Sequence, residues 1–366
     1  TAEEIKALIM RRSDACVSLY VPTDSVTQNT AASRIELRNL AKTALGQLRR
    51  TGFDKRRLAS LEELVAEIQD DDDFWRVQAN SLGIFLTPDS MDTFRLPNRL
   101  SATAQVSDRF HVKPLLRAVS FPFAAFVLAI AQDSVRLIEI ARDRLAAEVK
   151  VPGLPRDMSH AVGRTLPRDP APTGRIQGRE GYKVLLRQYA RRIDLALRPL
   201  LAGRNRPMIL ATVPQTAAVY RSVNHYPGLM DAAIKGNTEH MSVEEIAQKA
   251  RSILAAANEQ AVRALVEQFV SQRAAGLASS DLVQVARAAV AGAVATLLVD
   301  IDETIPGKLD PATGAVTFED SASARSYDVL GEIAGLTIIN GGDVVGVRKA
   351  DLPGNVPLAA LLRYRI

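Results

Sequence analysis

Residues 164 to 206 hold eleven Lys or Arg against three Asp or Glu, a local charge of +8 in a chain whose total is +5, so the remainder is slightly acidic at −3. Most of the cations fall on a Gly/Pro-rich loop, RTLPRDPAPTGRIQGREG (164–181), that runs into a helix-patterned stretch, YKVLLRQYARRIDLALRPLL (182–201). Guanidinium and ammonium groups concentrated in this way suit one chemistry above others, the neutralisation of a polyanion's phosphates. Arg179, Lys183, Arg187 and Arg191 recur every fourth residue, which stacks them on one face of a helix, while Leu185, Leu186, Tyr189 and Ile193 form its buried stripe. A plain solvated helix face has the same pattern, and both readings stand at this stage.

A second arrangement could do covalent chemistry. In LLVDIDETI (297–305) an apolar strand ends in Asp-x-Asp-x-Thr, the signature of haloacid-dehalogenase phosphatases. Asp300 would be the nucleophile and Asp302 the general acid, with a magnesium ion on the same phosphate. Those enzymes also need a further Lys and a downstream pair of acids. Only 61 residues follow Ile305, and GGDVVG offers one acid. The histidines, His111, His160, His225 and His240, show no pairing at the spacing of a helical metal site. His111, between Phe110 and Val112, reads as a structural histidine, and His160 precedes the basic loop. The run Asp70 to Asp73 lacks the alternating ligands and turn glycine of a calcium loop and reads as a solvated helix end. Cys16, the single cysteine, lies in the apolar run ACVSLYV and reads as a small buried hydrophobe. No nucleophile elbow, Walker loop or dinucleotide fingerprint occurs, so no cofactor and no metal site is expected.

The elements that must position these groups follow from periodicity and length. A chain of 366 residues, 47% hydrophobic and 24% charged, exceeds what one core organises. Three α/β domains are expected, over 1–115, 116–277 and 278–366. The first reads as strand DACVSLYVPT, helices near Ala31–Leu48 and Leu58–Gln69, and two strands in SLGIFLTPDSMDTFRLP. The second opens on a β-hairpin turning at Gln132 and Asp133, continues through the basic loop and helix to strand RPMILATVP, and closes with a long helix from residue 242. Ser242 and Glu245 have capping-box spacing at its start, and Gly276 suits its end. In the third, DLVQVARAAVAG and YDVLGEIAGL read as helices. VATLLVD reads as a strand, and TIINGGDVVGVRK and LAALLRYRI as two more around a Gly-Gly turn. The longest apolar run, Phe121 to Ala131, is too short for a membrane helix, and the opening residues do not read as a signal peptide. A cytoplasmic location is expected.

SLYVPT (18–23), FHVKPLLRAV (110–119), AIAQDSVRLIE (129–139) and the strings from AGAVATLLVD through GGDVV to AALLRYR stand in an order that resembles the bacterial branch of the archaeo-eukaryotic class I release factor and Pelota superfamily. The resemblance implies an α/β (α+β) multidomain protein: an α/β N-terminal domain, a ribonuclease H-like middle domain, and a C-terminal domain resembling kink-turn-RNA-binding ribosomal proteins. It also implies a partner, the ribosome or tRNA. Release factors of this superfamily carry a Gly-Gly-Gln tripeptide on a loop before the long middle-domain helix, where it helps water attack the peptidyl-tRNA ester. The corresponding loop here is TGRIQGREG. Gly174 and Gly178 would permit close backbone approach and Gln177 would orient the water. Arg164, Arg175, Arg179, Lys183, Arg187 and Arg191 would meet RNA. The tripeptide itself is absent, because Ile176 precedes Gln177, and the codon-reading motif of true termination factors is not recognisable. Ribosome rescue by ester hydrolysis, or docking on RNA without chemistry, is the expectation, with the oligomeric state open.

Overall fold

The computed structural model describes residues 2–24, 30–96, 98–120, 124–141, 145–163, 179–204, 206–319 and 327–365, with the side chains of residues 2, 117–119, 179 and 180 also outside the description. From the amino end come α1 (Ala2–Met10), β1 (Arg12–Pro22), α2 (Thr30–Arg50), α3 (Lys55–Asp70) and α4 (Asp72–Arg76). Next are β2 (Ser81–Thr87), β3 (Ser90–Leu96), β4 (Thr103–Arg109) and α5 (Lys113–Ser120). The middle holds β5 (Ala125–Ile130), β6 (Val135–Ile140), β7 (Ala147–Val149), α6 (Met158–Val162), α7 (Arg179–Leu201), β8 (Met208–Thr212), α8 (Pro214–Arg221), β9 (Leu229–Lys235) and α9 (Val243–Arg273). The remainder is β10 (Ala278–Ser279), α10 (Leu282–Val290), β11 (Val294–Asp300), β12 (Pro306–Leu309), β13 (Val316–Phe318), β14 (Tyr327–Asp328), α11 (Val329–Ile339), β15 (Asp343–Val347) and β16 (Leu358–Leu362). The architecture is mixed α/β with several sheets.

Two compact units result, one of residues Thr1–Phe121 with Asn258–Ile366, the other of Pro122–Ala257; the boundary falls within α9. In the first unit, β1 to β4 form an antiparallel sheet in the order β3-β2-β1-β4. β1 is buried along most of its length because successive side chains feed different cores. Ala15, Val17, Leu19 and Val21 pack with Leu37, Leu45, Leu61 and Trp75 from α2, α3 and α4. Cys16 and Tyr20 join Phe85 and Phe110 in a second core with Val285, Ala289, Leu330 and Ile333 from the carboxy-terminal helices. Cys16 is fully buried, as its apolar surroundings suggest, and burial pushes its thiol up to about 11. The carboxy-terminal strands form a sheet β10-β16-β11-β15, with β11 parallel to β15, and a small sheet β13-β12-β14.

Charge also joins the two ends of the chain within this unit. Lys113 is wholly buried, with Nζ 3.0 Å from Asp328 Oδ2, and it donates to the Glu303 carbonyl. Asp328 Oδ1 accepts from Ile305 N and from Leu330 N, capping α11. His111 lies beside them, its Nδ1 3.8 Å from Asp328 Oδ2 and its amide donating to Ser18 Oγ. Arg109 pairs with Glu332 at 2.7 Å and covers the Tyr327 ring, its Cζ 3.7 Å from the centroid.

The second unit is a sheet in the order β7-β6-β5-β8-β9, with β6 antiparallel to both its neighbours, β5 and β7, and β5, β8 and β9 parallel. Period-2 alternation sends Phe126, Leu128 and Ile130 toward α6, α7 and α8, and Ala125, Val127 and Ala129 toward the first turns of α9. A sheet covered on both faces needs apolar residues at nearly every position, which AFVLAI and MILAT supply. The hairpin turn is at residues 131–134, closed by Ala131 N donating to the Ser134 carbonyl. The capping box forms as its spacing implies: Ser242 N donates to Glu245 Oε2 and Glu245 N to Ser242 Oγ.

Some expectations need correction. Thr337–Ile339, read as strand, are the last turn of α11. The buried Thr337 bonds back to the Ile333 carbonyl, and tertiary packing overrides the β-branched propensity of the stretch. The acidic run, by contrast, is the solvated helix end its sequence suggested, with Asp71 capping α4 by accepting from Phe74 N. The middle unit also has a short helix and an edge strand, α8 and β9, beyond the strand-strand-helix-strand-helix pattern expected.

Candidate nucleic-acid interface

α7 is where the basic stretch takes shape. Leu186, Tyr189, Ala190, Ile193, Leu197 and Leu201 lie in the core against β5, β6 and β8, recurring at the 3- and 4-residue steps of one helix face. Tyr189 is anchored at its hydroxyl, which donates to the Ala131 carbonyl at 3.1 Å. Burial of this stripe leaves Lys183, Arg187 and Arg191 exposed. At about 100° per residue these three, with Asp194 and Arg198, fall in a sector of about 80° along the helix. From Lys183 to Arg198 that edge runs about 22 Å.

At its carboxy end the edge reaches a cluster that no sequence motif announces. Asp194 is buried, and both its oxygens are engaged: Oδ1 accepts from His225 N at 3.0 Å, and Oδ2 accepts from Arg198 Nε and Nη2 at 2.9 and 2.8 Å. His225 Nδ1 is also 2.9 Å from Oδ2, while most of the imidazole is in solvent. The carboxylate therefore orients an exposed guanidinium and an exposed imidazole together. Beside them Asp194, Leu197, Arg198, Leu201, Ala202, Gly203, Arg204, His225, Tyr226 and Pro227 line a pocket of about 440 Å³. Gly203, at φ +70°, takes the left-handed turn that ends α7, a conformation a side chain would strain. The Tyr226 hydroxyl ties down the following loop, donating to the Arg204 carbonyl at 3.1 Å and accepting from Arg206 N at 3.2 Å.

Of the residues singled out by sequence, Gly174, Gln177, Gly178, Arg164 and Arg175 lie outside the described residues. Arg179 opens α7, with its side chain outside the description. His160 is exposed, its amide donating to Asp157 Oδ1. Asp300 is buried at the end of β11, where its Oδ1 accepts from Asp302 N at 3.0 Å, so that carboxylate holds a turn. Lys349 lies 2.9 Å from Glu303 and is held there as an ion pair. Among the described residues no cluster of three or more His, Cys, Asp or Glu could hold a metal, and no helix is long and apolar enough to cross a membrane. The Asp194–His225 pair escapes sequence reading because 31 residues separate its members. Only the Asp194–Arg198 spacing of four, on a helix, hints at it.

Residues 122–260 match the family model described as "Bacterial archaeo-eukaryotic release factor family 11". No curated protein matches the chain. Among solved structures, an archaeal translation termination factor, aRF1, is 16% identical over 100% of this chain and 98% of its own, with a TM-score of 0.24. Archaeoglobus fulgidus Pelota is 12% identical over 100% and 93%, at 0.34. S. cerevisiae Dom34, described as a translation termination-like factor involved in RNA quality control pathways and interacting with Hbs1, is 11% identical over 78% and 79%, at 0.42. Likeness at these scores does not bear on the geometry of the interface, whereas the family match covers the second unit from end to end. The resemblance read in the sequence is thus met in residues 122–260, which are similar to the bacterial archaeo-eukaryotic release factors.

Proposed function

We propose that this protein docks on the ribosome or on tRNA through the basic edge of α7. The observation that carries the reading is the exposure of Lys183, Arg187 and Arg191 along one edge of a helix whose adjoining stripe is locked into the core. A row of cations on a folded helix meets successive phosphates without paying to order its backbone. The release-factor family match supports translation as the setting, and the strand order of the middle sheet supports a ribonuclease H-like middle domain. On this reading the protein works in the cytoplasm, with three domains of which the last resembles kink-turn-RNA-binding ribosomal proteins.

Docking is tested by ribosome co-sedimentation across a salt series. Each neutralised phosphate contributes a slope of about 0.7–0.9 in log affinity against log salt. Replacing Lys183, Arg187 and Arg191 together by Ala is expected to flatten the slope by about 2–3. An unchanged slope would remove the row from the interface.

The finer reading is ribosome rescue by hydrolysis of the peptidyl-tRNA ester, with Gln177 orienting water and Gly174 and Gly178 allowing close approach. Incubation with peptidyl-tRNA or stalled ribosomes is expected to release peptide, and Gln177→Ala to abolish that release. Release that survives the substitution would exclude Gln177 from the role, and no release from the unsubstituted protein would leave docking without chemistry.

A further inference from the structure

We infer that the pocket at the carboxy end of α7 binds a nucleotide, with the base against its apolar floor and the phosphate on its cationic rim. The floor is Leu197, Leu201, Ala202 and Pro227, and a volume of about 440 Å³ lies within the range of small-ligand pockets, about 300–1,000 Å³. On the rim stand Arg198, Arg204 and His225. The acid in the lining, Asp194, is buried with both oxygens already engaged by Arg198 and His225, so the charge left to meet a ligand is positive. Arg198 uses Nε and Nη2 on Asp194, and its Nη1 has no partner among the described residues. The guanidinium is therefore held in place by its carboxylate and still has donors to give a phosphate.

Opposing this, the carboxy end of a helix dipole repels anions. Two of the terminal carbonyls of α7 are already satisfied, Arg198 by Ala202 N and Leu201 by Arg204 N, and the Arg204 charge left after Arg198 is set against Asp194 outweighs the half-charge that remains. A pocket with an apolar floor and a cationic rim takes an amphipathic anion. Two features narrow this to a nucleotide. His225 and Arg204 are exposed planar groups of the kind on which bases stack. The row Lys183, Arg187 and Arg191 leads along the same edge to Arg198, so a strand lying on the row is delivered to the pocket. The nucleotide could arrive free or as part of an RNA strand. The inference rests on the RNA-docking reading for the second source only.

The test titrates the full chain with AMP and UMP, with adenosine and inorganic phosphate as part-ligands, and with a short single-stranded RNA. The mononucleotides are expected to bind more tightly than either part alone. Arg204→Ala combined with His225→Ala is expected to weaken mononucleotide binding by about tenfold or more, as for one lost charged contact. Because His225→Ala also removes a partner of Asp194, His225→Gln, which can keep that hydrogen bond, is paired with Arg204→Ala as a second variant. Replacing Lys183, Arg187 and Arg191 by Ala is expected to leave mononucleotide affinity unchanged while weakening RNA. Mononucleotides that fail to bind at millimolar concentration, or that bind both pocket variants as they bind the unsubstituted chain, overturn the inference. Mononucleotide binding lost in the pocket variants, with RNA indifferent to the row, would keep the pocket for free nucleotides and overturn docking instead.

Discussion

Lys113→Ala is expected to destabilise the first unit by about 3–5 kcal/mol, the usual cost of breaking a buried pair from one side. The ammonium is fully buried 3.0 Å from Asp328 Oδ2 but off the hydrogen-bonding direction, so charge holds the pair more than a directed bond does. Removing it strands a carboxylate whose side chain is itself 2% exposed. The damage would spread, because Asp328 also caps α11 and holds Ile305 N, and Lys113 itself bonds the Glu303 carbonyl. Lys113→Met together with Asp328→Asn is expected to recover most of the loss, since neither residue then leaves a buried charge and the Asn oxygen can still accept at the cap. Urea unfolding followed by Trp75, the single tryptophan and a core residue of this unit, reports both. A loss below about 1 kcal/mol for Lys113→Ala would show the pair to be incidental.

His111 is expected to make the same unit sensitive to acid. Burial pushes its imidazole down from the usual 6.5 to about 4, with Asp328 opposing the shift and Lys113 adding to it. The folded state therefore refuses a proton that the unfolded chain accepts. The stability this group confers is complete above about pH 6.5 and is lost as pH falls toward 4, a difference of about 3 kcal/mol. His111→Gln, which does not titrate, is expected to have a flatter stability profile between those limits. The readout is the difference between the two profiles, since carboxylates contribute to both. Parallel profiles would contradict a buried neutral histidine.

The core-forming pattern was largely legible. The apolar runs ACVSLYV and AFVLAI and the 3- and 4-residue steps in 182–201 each demand burial, and each finds it. The elements that escaped are those whose sequence carries little pattern. Edge strand β9 has a single buried residue, and α5, in FHVKPLLRAV, is too short for periodicity to separate it from a strand. Less legible still was the joining of the chain's two ends in one core. Cys16 and Tyr20 meet Val285 and Leu330 across more than 250 residues, and Lys113 meets Asp328 across more than 200. A single sequence holds no record of such distances. The basic row could be read because helical spacing alone defines it. The Asp194–His225 cluster could not, because a chain reversal through β8 and α8 brings it together.

The central claim, that the exposed row on α7 meets RNA, is tested most directly by co-sedimentation with ribosomes at low and high salt, comparing the unsubstituted chain with Lys183, Arg187 and Arg191 replaced by Ala. Binding at low salt that falls steeply as salt rises, with a slope shallower by about 2–3 in the substituted chain, is the predicted result. No association at low salt, or the same slope in both proteins, would contradict it.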